Sequence, residues 1–208
     1  AVRILDKSQL KLDIDALGFN EKALTALKKH ASRPHGMVLV CGPTGSGKTT
    51  TLYSLVKFVD SPRVNIVTVE DPIEFKLHGI NQVNALVDIG LTFASALRSI
   101  LRQDPDIIMI GEIRDAETLD IAIKSALTGH LVFSTFHTTT TCGAIIRMFN
   151  FGIEPFLITA SVTAIVAQRL VRVICPQCKQ AYKLPEAMAE KLGLDKESRR
   201  EFYKAKGC

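Results

Sequence analysis

The sequence predicts an α/β fold in which helices cover both faces of a mostly parallel sheet. Apolar segments that suit strands alternate with segments that suit helices, and a glycine-rich phosphate-binding pattern joins one strand to one helix. Near-continuous apolar strands separated by helices are typical of parallel sheets buried on both faces. Such sheets bind ligands at the carboxyl ends of their strands, so the polar residues that follow each strand are the candidate functional residues.

Composition indicates a globular chain of one ordinary domain with a small appendage. Its 208 residues are 47% hydrophobic and 23% charged, and the net charge of +5 permits an acidic partner without requiring one. No run of about 18 apolar residues occurs, because polar residues interrupt the longest apolar stretch, at residues 156–174. The chain starts with neither a methionine nor a signal-peptide pattern, so we expect an excerpt of a longer cytoplasmic protein.

The first part of the chain is predicted to lead into the sheet. Residues 1–19 contain short alternating segments and are predicted to form a strand or an extended lead-in. A short amphipathic helix is predicted over residues 21–30, with Asn20 as its N-cap and with Leu24 and Leu27 facing the core. The lysines of this helix are assigned to its solvated face: Lys22, Lys28 and Lys29.

Strands and helices are predicted to alternate after a chain-breaking segment at residues 33–36. The predicted strands are residues 37–41, 64–69, 107–110 and 131–136, and the predicted helices are residues 47–59, 92–101 and 116–127. Composition changes near residue 175, where paired cysteines and a charged tail begin, so we predict a domain over 1–174 and a subdomain over 175–208. The subdomain is predicted to contain helical segments at residues 187–192 and 198–205.

The strongest pattern is the phosphate-loop run G-x-x-x-x-G-K-T at residues 42–49. It lies between a strand and a helix, where backbone N–H groups and the helix dipole can point at an anion. Lys48 is predicted to reach the β- and γ-phosphates of a nucleotide, and Thr49 to offer its hydroxyl to Mg²⁺. The residues assigned to nucleotide binding here are Gly42, Pro43, Thr44, Gly45, Ser46, Gly47, Lys48, Thr49 and Thr50.

Three acids follow the second predicted strand: Glu70, Asp71 and Glu74. Beside a phosphate site they would repel one another and the nucleotide, unless Mg²⁺ and a water to be activated are present. A carboxylate within hydrogen-bond reach can orient and partly deprotonate an attacking water. The alternative is a solvated acidic turn.

The third predicted strand is of the Walker B type and carries an acid, Glu112, at its carboxyl end. Glutamate is one carbon longer than aspartate, so contact with Mg²⁺ through a water is as favourable as direct ligation. Asp106 lies at the other end of the strand and is predicted to cap the turn that leaves Asp104 and Pro105.

His137 follows the fourth predicted strand. It is either a structural hydrogen-bonding residue or a group that senses the γ-phosphate or holds Glu74 or the water in place. Arg98 and Arg102 lie four residues apart on a predicted helix and form either an exposed basic stripe or a pair that reaches a phosphate across a subunit boundary. Arg114 and Asp115 are a further candidate pair, although Asp115 could instead cap the next helix.

Five cysteines are present: Cys41, Cys142, Cys175, Cys178 and Cys208. An odd count without an export signal argues against a disulfide framework, and Cys41 is predicted to be a small core residue. The C-x-x-C pair at Cys175 and Cys178 has the spacing of a zinc knuckle, but a redox pair has the same spacing.

Taken together, the segments GPTGSGKTT, VEDPIEF, LRQDPDIIMIGEIRD and TGHLVFSTFHT strongly resemble the secretion ATPases of the type II secretion and type IV pilus assembly family. They match that family's Walker A, Asp box, Walker B and His box in order and spacing, and the resemblance runs from residue 3 to residue 208. It implies a RecA-like ATPase domain in a homo-hexameric ring that uses ATP and Mg²⁺. It also implies further N-terminal domains, and a cytoplasmic location at the inner face of the bacterial inner membrane. The expected partners are inner-membrane anchoring and platform proteins, through which the ring would associate peripherally with the membrane.

The resemblance also implies roles for individual residues. Glu74 corresponds to the general base, Glu112 to the Walker B acid and His137 to the His-box histidine. Glu70 and Asp71 correspond to supporting acids, Arg98 and Arg102 to arginines near the phosphates, and Arg3 to an arginine in the linker from the N-terminal domain. The chain departs from the family after His137, where Thr139 stands in place of the usual asparagine and Thr140 and Thr141 follow.

For the cysteines, the resemblance implies a structural Zn²⁺ held by Cys175, Cys178 and Cys208, with a fourth cysteine beyond the excerpt. A closed site of four cysteines would be structural and would pin a lobe too small to bury a core of its own. Pilus-retraction ATPases typically lack such a lobe, so its presence favours assembly or secretion.

These features lead to one main hypothesis, an ATP-hydrolysing motor that extrudes pilin or pseudopilin subunits through a membrane platform protein. A ring motor that translocates DNA, as in competence or conjugation, is the alternative. No nucleic acid is expected, because the sequence lacks tryptophan and a basic segment with stacking aromatic residues. A third hypothesis, a non-enzymatic docking module, applies to residues 175–208 only.

Overall fold

The computed structural model describes residues 12–194 and 202–208. The chain divides into two compact units, Ala1–Arg169 and Leu170–Cys208, so the boundary lies a few residues before the one expected from composition. Arg3, most of the predicted lead-in and much of the predicted helix over residues 198–205 lie outside the described residues. Within the described parts of the chain, no helix is both long and apolar enough to cross a bilayer.

The described part of the first unit is built on a six-stranded sheet. Its strands are β1 (Gly36–Cys41), β2 (Ile66–Glu70), β3 (Asn81–Asn84), β4 (Ile107–Ile110), β5 (Leu131–Phe136) and β6 (Val162–Ala167). Its α-helices are α1 (Glu21–Ala31), α2 (Lys48–Val59), α3 (Phe93–Ile100), α4 (Ala116–Leu127), α5 (Thr141–Asn150) and α6 (Pro155–Ser161). Short 3₁₀-helices lie at Ile14–Leu17 and Val87–Ile89.

The strands lie in the order β3-β2-β4-β5-β1-β6, and every neighbouring pair is parallel. The loops that follow β2, β4, β5 and β1 therefore leave the same edge of the sheet side by side. This order brings the acids after β2 and β4, the histidine after β5 and the glycine-rich loop after β1 to one edge.

Apolar residues on the two faces of the sheet form two core layers. Leu39 faces α3, α4, α5 and α6, whereas its neighbour Val40 faces α1 and α2, because successive strand side chains point to opposite faces. Phe133, at the centre of the second layer, is fully buried, which is worth about 1.5–3 kcal/mol relative to exposure. Cys41 is also fully buried, as predicted for a small core residue.

The four predicted strands and the three predicted helices of this unit are confirmed, and β4, β5 and α4 have the predicted bounds. Helix α1 is confirmed with its cap, since Asn20 Oδ1 accepts a hydrogen bond from Ala23 N at 2.8 Å. One detail is wrong, since the segment Ile14–Leu17 forms a 3₁₀-helix instead of a strand or an extended lead-in. Lys28 pairs with Asp15 at 2.6 Å at the protein surface.

Asp106 serves another purpose than the predicted turn cap. Its carboxylate accepts a hydrogen bond from Asn65 N at 2.7 Å. The Asn65 side chain in turn donates to the carbonyl groups of Gln103 and Asp104, at 2.9 and 3.1 Å. These bonds join the segment before β2 to the start of β4, far from the carboxyl ends of the strands.

The second unit contains β7 (Lys179–Tyr182), α7 (Glu186–Lys191) and β8 (Phe202–Ala205), and β7 pairs with β8 in antiparallel fashion. The predicted helix over residues 198–205 is therefore wrong in its described part. Pairing overrides helix propensity here, because Tyr182 and Phe202 lie opposite one another with ring centroids 6.4 Å apart.

Candidate functional site

The glycine-rich loop connects β1 to α2 and wraps tightly on itself. A Cβ atom at Gly42 would lie 2.5 Å from the backbone oxygen of Gln168 and 2.5 Å from Ser46 Oγ, so a larger residue does not fit. Gly47, with φ of 86°, is the residue before α2, whose first residue is Lys48. The loop thus places the first turn of α2, whose N–H groups have no partner within the helix, at the carboxyl ends of the strands.

Lys48 is folded onto this loop. Its Nζ donates hydrogen bonds to the backbone oxygens of Gly42 and Pro43, at 2.9 and 3.1 Å. Burial lowers the pKa of Lys48 below its ordinary value, while the charges of Glu112 and Cys41 act in the opposite direction. An ammonium group that is mostly withdrawn from water, with a carboxylate nearby, is suited to binding an anion such as a phosphate.

The remaining residues assigned to nucleotide binding lie along the same loop. Pro43, Thr44 and Gly45 are exposed at its tip, whereas Ser46 is buried. Thr49 and Thr50 are half-buried in the first turn of α2. Thr49 is therefore placed beside the loop, where its hydroxyl can reach a cation on a bound phosphate.

Glu112, two residues beyond β4, is held from two sides. Its Oε1 accepts a hydrogen bond from Arg114, and its Oε2 lies 2.7 Å from His137 Nε2. Arg114 also approaches Asp71, with Nη1 and Oδ2 3.7 Å apart. The structure therefore brings together residues that follow β2, β4 and β5 in one cluster of alternating charge.

The contacts in this cluster shift the pKa values of Glu112 and Arg114. Burial raises the pKa of Glu112, but hydrogen bonds from Arg114 and His137 and their attraction outweigh it, so this pKa lies below its ordinary value. The hydrogen bond to Glu112, aided by the charge of Asp71, raises the pKa of Arg114. Glu112 is therefore ionised at neutral pH, as a residue that interacts with a cation must be.

Glu70 is placed differently from the other acids. It is 3% exposed, and its carboxylate accepts hydrogen bonds from Tyr53, Thr68 and Gln82. In the described structure its side chain makes no hydrogen bond or ion pair to residues 42–49. The carboxylate is thus turned into the protein interior.

Glu74 lies half-buried in the loop between β2 and β3. Among the described residues, no hydrogen bond or ion pair occupies its carboxylate. The backbone of the next residue, Phe75, is held by hydrogen bonds to Tyr53 and Gln82. The carboxylate of Glu74 is therefore without a partner among the described residues, while the backbone next to it is held in place.

In the described structure, Arg98 and Arg102 make no hydrogen bond or ion pair to the phosphate loop of their own chain. Arg98 on α3 pairs with Glu117 on α4 at 2.5 Å. Arg102 lies beyond the end of α3, and its Nη2 is 3.4 Å from Ser99 Oγ. Both arginines are exposed.

Two residues near the cluster cap helices. Asp115 accepts hydrogen bonds from the backbone and side chain of Thr118, at 2.7 and 2.8 Å, which confirms the alternative that it caps α4. Thr140 Oγ1 accepts from Gly143 N at 3.0 Å and caps α5. The threonines after His137 therefore include a helix cap, while Thr139 is exposed.

Gln168 was missed from the sequence, although it lies at the end of β6 and braces the phosphate loop. Its Nε2 donates to Ser46 O at 2.6 Å, and its Oε1 accepts from Thr51 Oγ1 at 2.9 Å. Its backbone N–H donates to Cys41 O at 2.9 Å. The signal that could have identified it is a polar residue directly after an apolar run. The signal is weak because residues 156–174 form one apolar stretch with several polar interruptions, so the end of β6 is not evident from the sequence.

The cysteine cluster lies in the second unit. The sulfur atoms of Cys175, Cys178 and Cys208 all lie within 4.8 Å of one another, and those of Cys175 and Cys208 are 3.7 Å apart. With Zn–S bonds of about 2.3 Å, a tetrahedral site separates its sulfurs by about 3.8 Å. The three thiols therefore fit a Zn²⁺ site that needs one more ligand.

The whole sequence, residues 1–208, matches the family described as Type II/IV secretion system protein. The chain belongs to this secretion family. It is 60% identical over 179 residues to the type IV pilus assembly ATPase PilB of Myxococcus xanthus, covering 86% of this chain and 32% of that protein. It is 49% identical over 207 residues to the type II secretion system protein E of Pseudomonas aeruginosa, covering 100% of this chain and 41% of that protein.

Among solved structures, the pilus retraction motor PilT with bound ADP resembles the chain with a TM-score of 0.67 and 37% identity. The match covers 76% of this chain and 48% of PilT. The RecA-like α/β fold implied by the sequence is thereby confirmed, as is the secretion family. The chain spans about a third to two fifths of the length of the curated relatives described above.

Proposed function

We propose that this chain is the ATP-hydrolysing domain of a motor that powers type II secretion or type IV pilus assembly. The observation that carries the proposal is the meeting of the phosphate loop, Glu112 and His137 at the carboxyl edge of the sheet. The family membership and the names of the relatives support the same function. They favour a secretion or pilus motor over a DNA-translocating ring.

In the proposed reaction, the N–H groups of the loop and of the first turn of α2 bind the phosphates of ATP. Lys48 exchanges the backbone oxygens of Gly42 and Pro43 for the β- and γ-phosphate oxygens. Thr49 and Glu112 would hold Mg²⁺, Glu112 through a water. When bound, Mg²⁺ neutralises charge on the phosphate oxygens.

Glu74 is proposed as the general base. A water attacks the γ-phosphorus, gives its proton to a Glu74 carboxylate oxygen, and the bond to the β–γ bridging oxygen breaks to leave ADP and phosphate. The carboxylate of Glu74 supports this role, since it forms no hydrogen bond or ion pair with any described residue. Asp71, paired with Arg114, is proposed to support the site electrostatically.

The proposed assembly is a homo-hexameric ring in the cytoplasm, at the inner face of the bacterial inner membrane. Arg98 and Arg102 are exposed, and their hydrogen-bond partners in their own chain lie outside the phosphate loop. They would contact the nucleotide that is bound by a neighbouring subunit. Arg3 would contribute in the same way. Anchoring and platform proteins of the membrane are the proposed partners, and pilin or pseudopilin subunits are the cargo.

We also propose that the second unit is a structural zinc lobe. Cys175, Cys178 and Cys208 would supply three ligands, and a further cysteine the fourth. The sulfur separations fit a tetrahedral site, and the described part of the lobe, one two-stranded sheet and one short helix, has little core of its own.

The test is ATP turnover by the full-length protein and by Lys48→Ala and Glu74→Gln variants. Lys48→Ala is expected to weaken nucleotide binding, and Glu74→Gln to bind nucleotide normally but to hydrolyse it at least about 100-fold more slowly. Glu154→Gln is a matched control, since Glu154 is exposed and its side chain makes no cap bond. Wild-type turnover in both site variants would overturn the assignment.

A further inference from the structure

A buried tyrosine links the helix of the phosphate loop to the loop that carries Glu74. Tyr53 lies on α2, five positions after Lys48, and its side chain is fully buried. Its hydroxyl donates a hydrogen bond to Glu70 and accepts one from the backbone N–H of Phe75 at 3.4 Å. Its ring also packs edge-on against that of Phe75, with centroids 6.2 Å apart.

The carboxylate of Glu70 is the fixed point of this contact. Besides Tyr53, it accepts hydrogen bonds from Thr68 Oγ1 at 2.6 Å and Gln82 Nε2 at 3.0 Å. Within the described structure it has no cationic partner. Three donors from β2, β3 and α2 thus satisfy a carboxylate that is almost completely buried, where an unsatisfied one would be costly.

The same network fastens the backbone on both sides of Glu74. Gln82 Nε2 donates to the backbone oxygen of Phe75 at 3.0 Å, and Gln82 Oε1 accepts from Leu77 N at 2.7 Å. Asn84 Oδ1 accepts from Ile73 N at 3.1 Å. The residues before and after Glu74 are therefore bound to side chains of α2 and β3.

We propose that Tyr53, together with Glu70 and Gln82, positions Glu74 relative to the phosphate loop. The bond from Tyr53 to Phe75 N ties the residue next to Glu74 to the helix that begins at Lys48. Any movement of α2 is thereby passed to the backbone that carries the proposed base. Tyr53 is a positioning residue and does not touch the nucleotide.

The proton state of the phenol suits this role. Burial, together with the hydrogen bond and charge of Glu70, raises the pKa of Tyr53 far above its ordinary value, against smaller lowering from the amides of Phe75 and Glu74. The hydroxyl is thus a donor to Glu70 throughout the physiological pH range. A displacement of about 1 Å of a catalytic group can reduce a rate about 100-fold, so loss of this tie has a measurable effect.

This inference rests on the proposed role of Glu74, and the test compares two single hydroxyl deletions in the full-length protein. Tyr53→Phe removes a donor to Glu70 and also the tie to Phe75. Thr68→Val removes a donor to the same carboxylate but no contact with the Glu74 loop. Because both residues are fully buried and each variant loses one bond to Glu70, the two variants are matched for structural damage at that carboxylate.

Tyr53→Phe is expected to lower kcat about 10- to 100-fold with KM and the Kd for ADP within about twofold of wild type. Thr68→Val is expected to keep kcat within about twofold, with a similar fall in Tm. Wild-type kcat in Tyr53→Phe, or equal losses of kcat in both variants, overturns the inference. If Tyr53→Phe does not fold, Gln82→Met tests the β3 side of the network. The expected result is the same, a lower kcat with a nearly unchanged Kd for ADP.

A double variant separates this inference from the proposed function. If Tyr53 acts through Glu74, adding Tyr53→Phe to Glu74→Gln causes no further loss of single-turnover rate. A full additional loss overturns the inference and leaves Glu74 as the base. Wild-type turnover in Glu74→Gln alone overturns the proposed base, and with it the positioning role.

Discussion

His137 Nε2 lies 2.7 Å from Glu112 Oε2, which joins the ends of two neighbouring strands. The contact follows from the register of the sheet, in which Ile110 at the end of β4 pairs with Ser134 on β5. Arg114 holds the other oxygen of Glu112. Both carboxylate oxygens are thus held in place by the chain itself, which fixes the direction in which Glu112 can face a cation.

Removing this histidine should weaken Mg²⁺-dependent hydrolysis more than nucleotide binding. His137→Ala frees Glu112 Oε2, and loss of a partner that orients a metal-binding group typically costs about 10- to 100-fold in activity or metal affinity. We expect a fall of that size in kcat and a higher Mg²⁺ concentration for half-maximal rate. His78→Ala, at an exposed histidine in the loop before β3, is the control. Unaltered Mg²⁺ dependence in His137→Ala contradicts an orienting role.

Acid should remove the stability that Glu112 provides. The folded pKa of Glu112 lies below its ordinary value of 4.5, so its ionised form stabilises the fold above that pH. This stabilisation is lost as the pH falls through the lowered pKa. The Tm difference between the full-length protein and Glu112→Gln should therefore shrink as the pH falls below about 4.5. A difference that grows with acid contradicts the pairing with Arg114.

The sequence was most informative where structure is local. Strand β4 and helix α4 have the predicted bounds because one is an uninterrupted apolar run and the other begins after a capping residue, Asp115. Strand β3, Asn81–Asn84, escaped prediction because it is polar and its pairing with β2 comes from elsewhere in the chain.

The same limit applies to the candidate site. The acids at residues 70–74 look equivalent in sequence, yet Glu70 is the last residue of β2 and is buried, with hydrogen-bond partners, Tyr53 and Gln82, that come from distant positions. Phosphate-loop residues were recognisable because a single short segment supplies them. Gln168 was not, because its contact with Ser46 spans 122 positions.

Loss of the Gln168 side chain should loosen the phosphate loop. Gln168→Leu removes the bonds to Ser46 O and Thr51 Oγ1, and each such bond contributes about 1 kcal/mol. We expect the Kd for ADP to rise about 10-fold, measured by fluorescence titration. Thr51→Val breaks one of the two bonds and leaves Ser46 held, so its Kd should change about twofold or less. Equal affinities of Gln168→Leu and wild type contradict the bracing role.

Variants of the exposed ion pair between Arg98 and Glu117 should show whether Arg98 forms only this surface pair or also contacts the nucleotide of a neighbouring subunit. Exposed pairs contribute about 0–1 kcal/mol, so Glu117→Gln should scarcely change Tm or kcat. If Arg98 serves the nucleotide of a neighbouring chain, Arg98→Gln lowers kcat in the assembled ring at unchanged Tm. Equal turnover of Arg98→Gln and Glu117→Gln rings indicates a surface pair alone.

The cysteine cluster should bind one zinc ion in each full-length chain. Cys178→Ser removes one ligand of a tetrahedral site that needs all four of its ligands, so we expect zinc, measured by elemental analysis after gel filtration, to fall to near zero. Cys142→Ser provides the matched control, because Cys142 is exposed on α5 and lies outside the cluster. Chelation of wild type should lower its Tm to that of Cys178→Ser, since a structural metal stabilises only the folded lobe. A zinc-free wild type in which Cys175 and Cys178 resist alkylation until reduced indicates the redox pair instead.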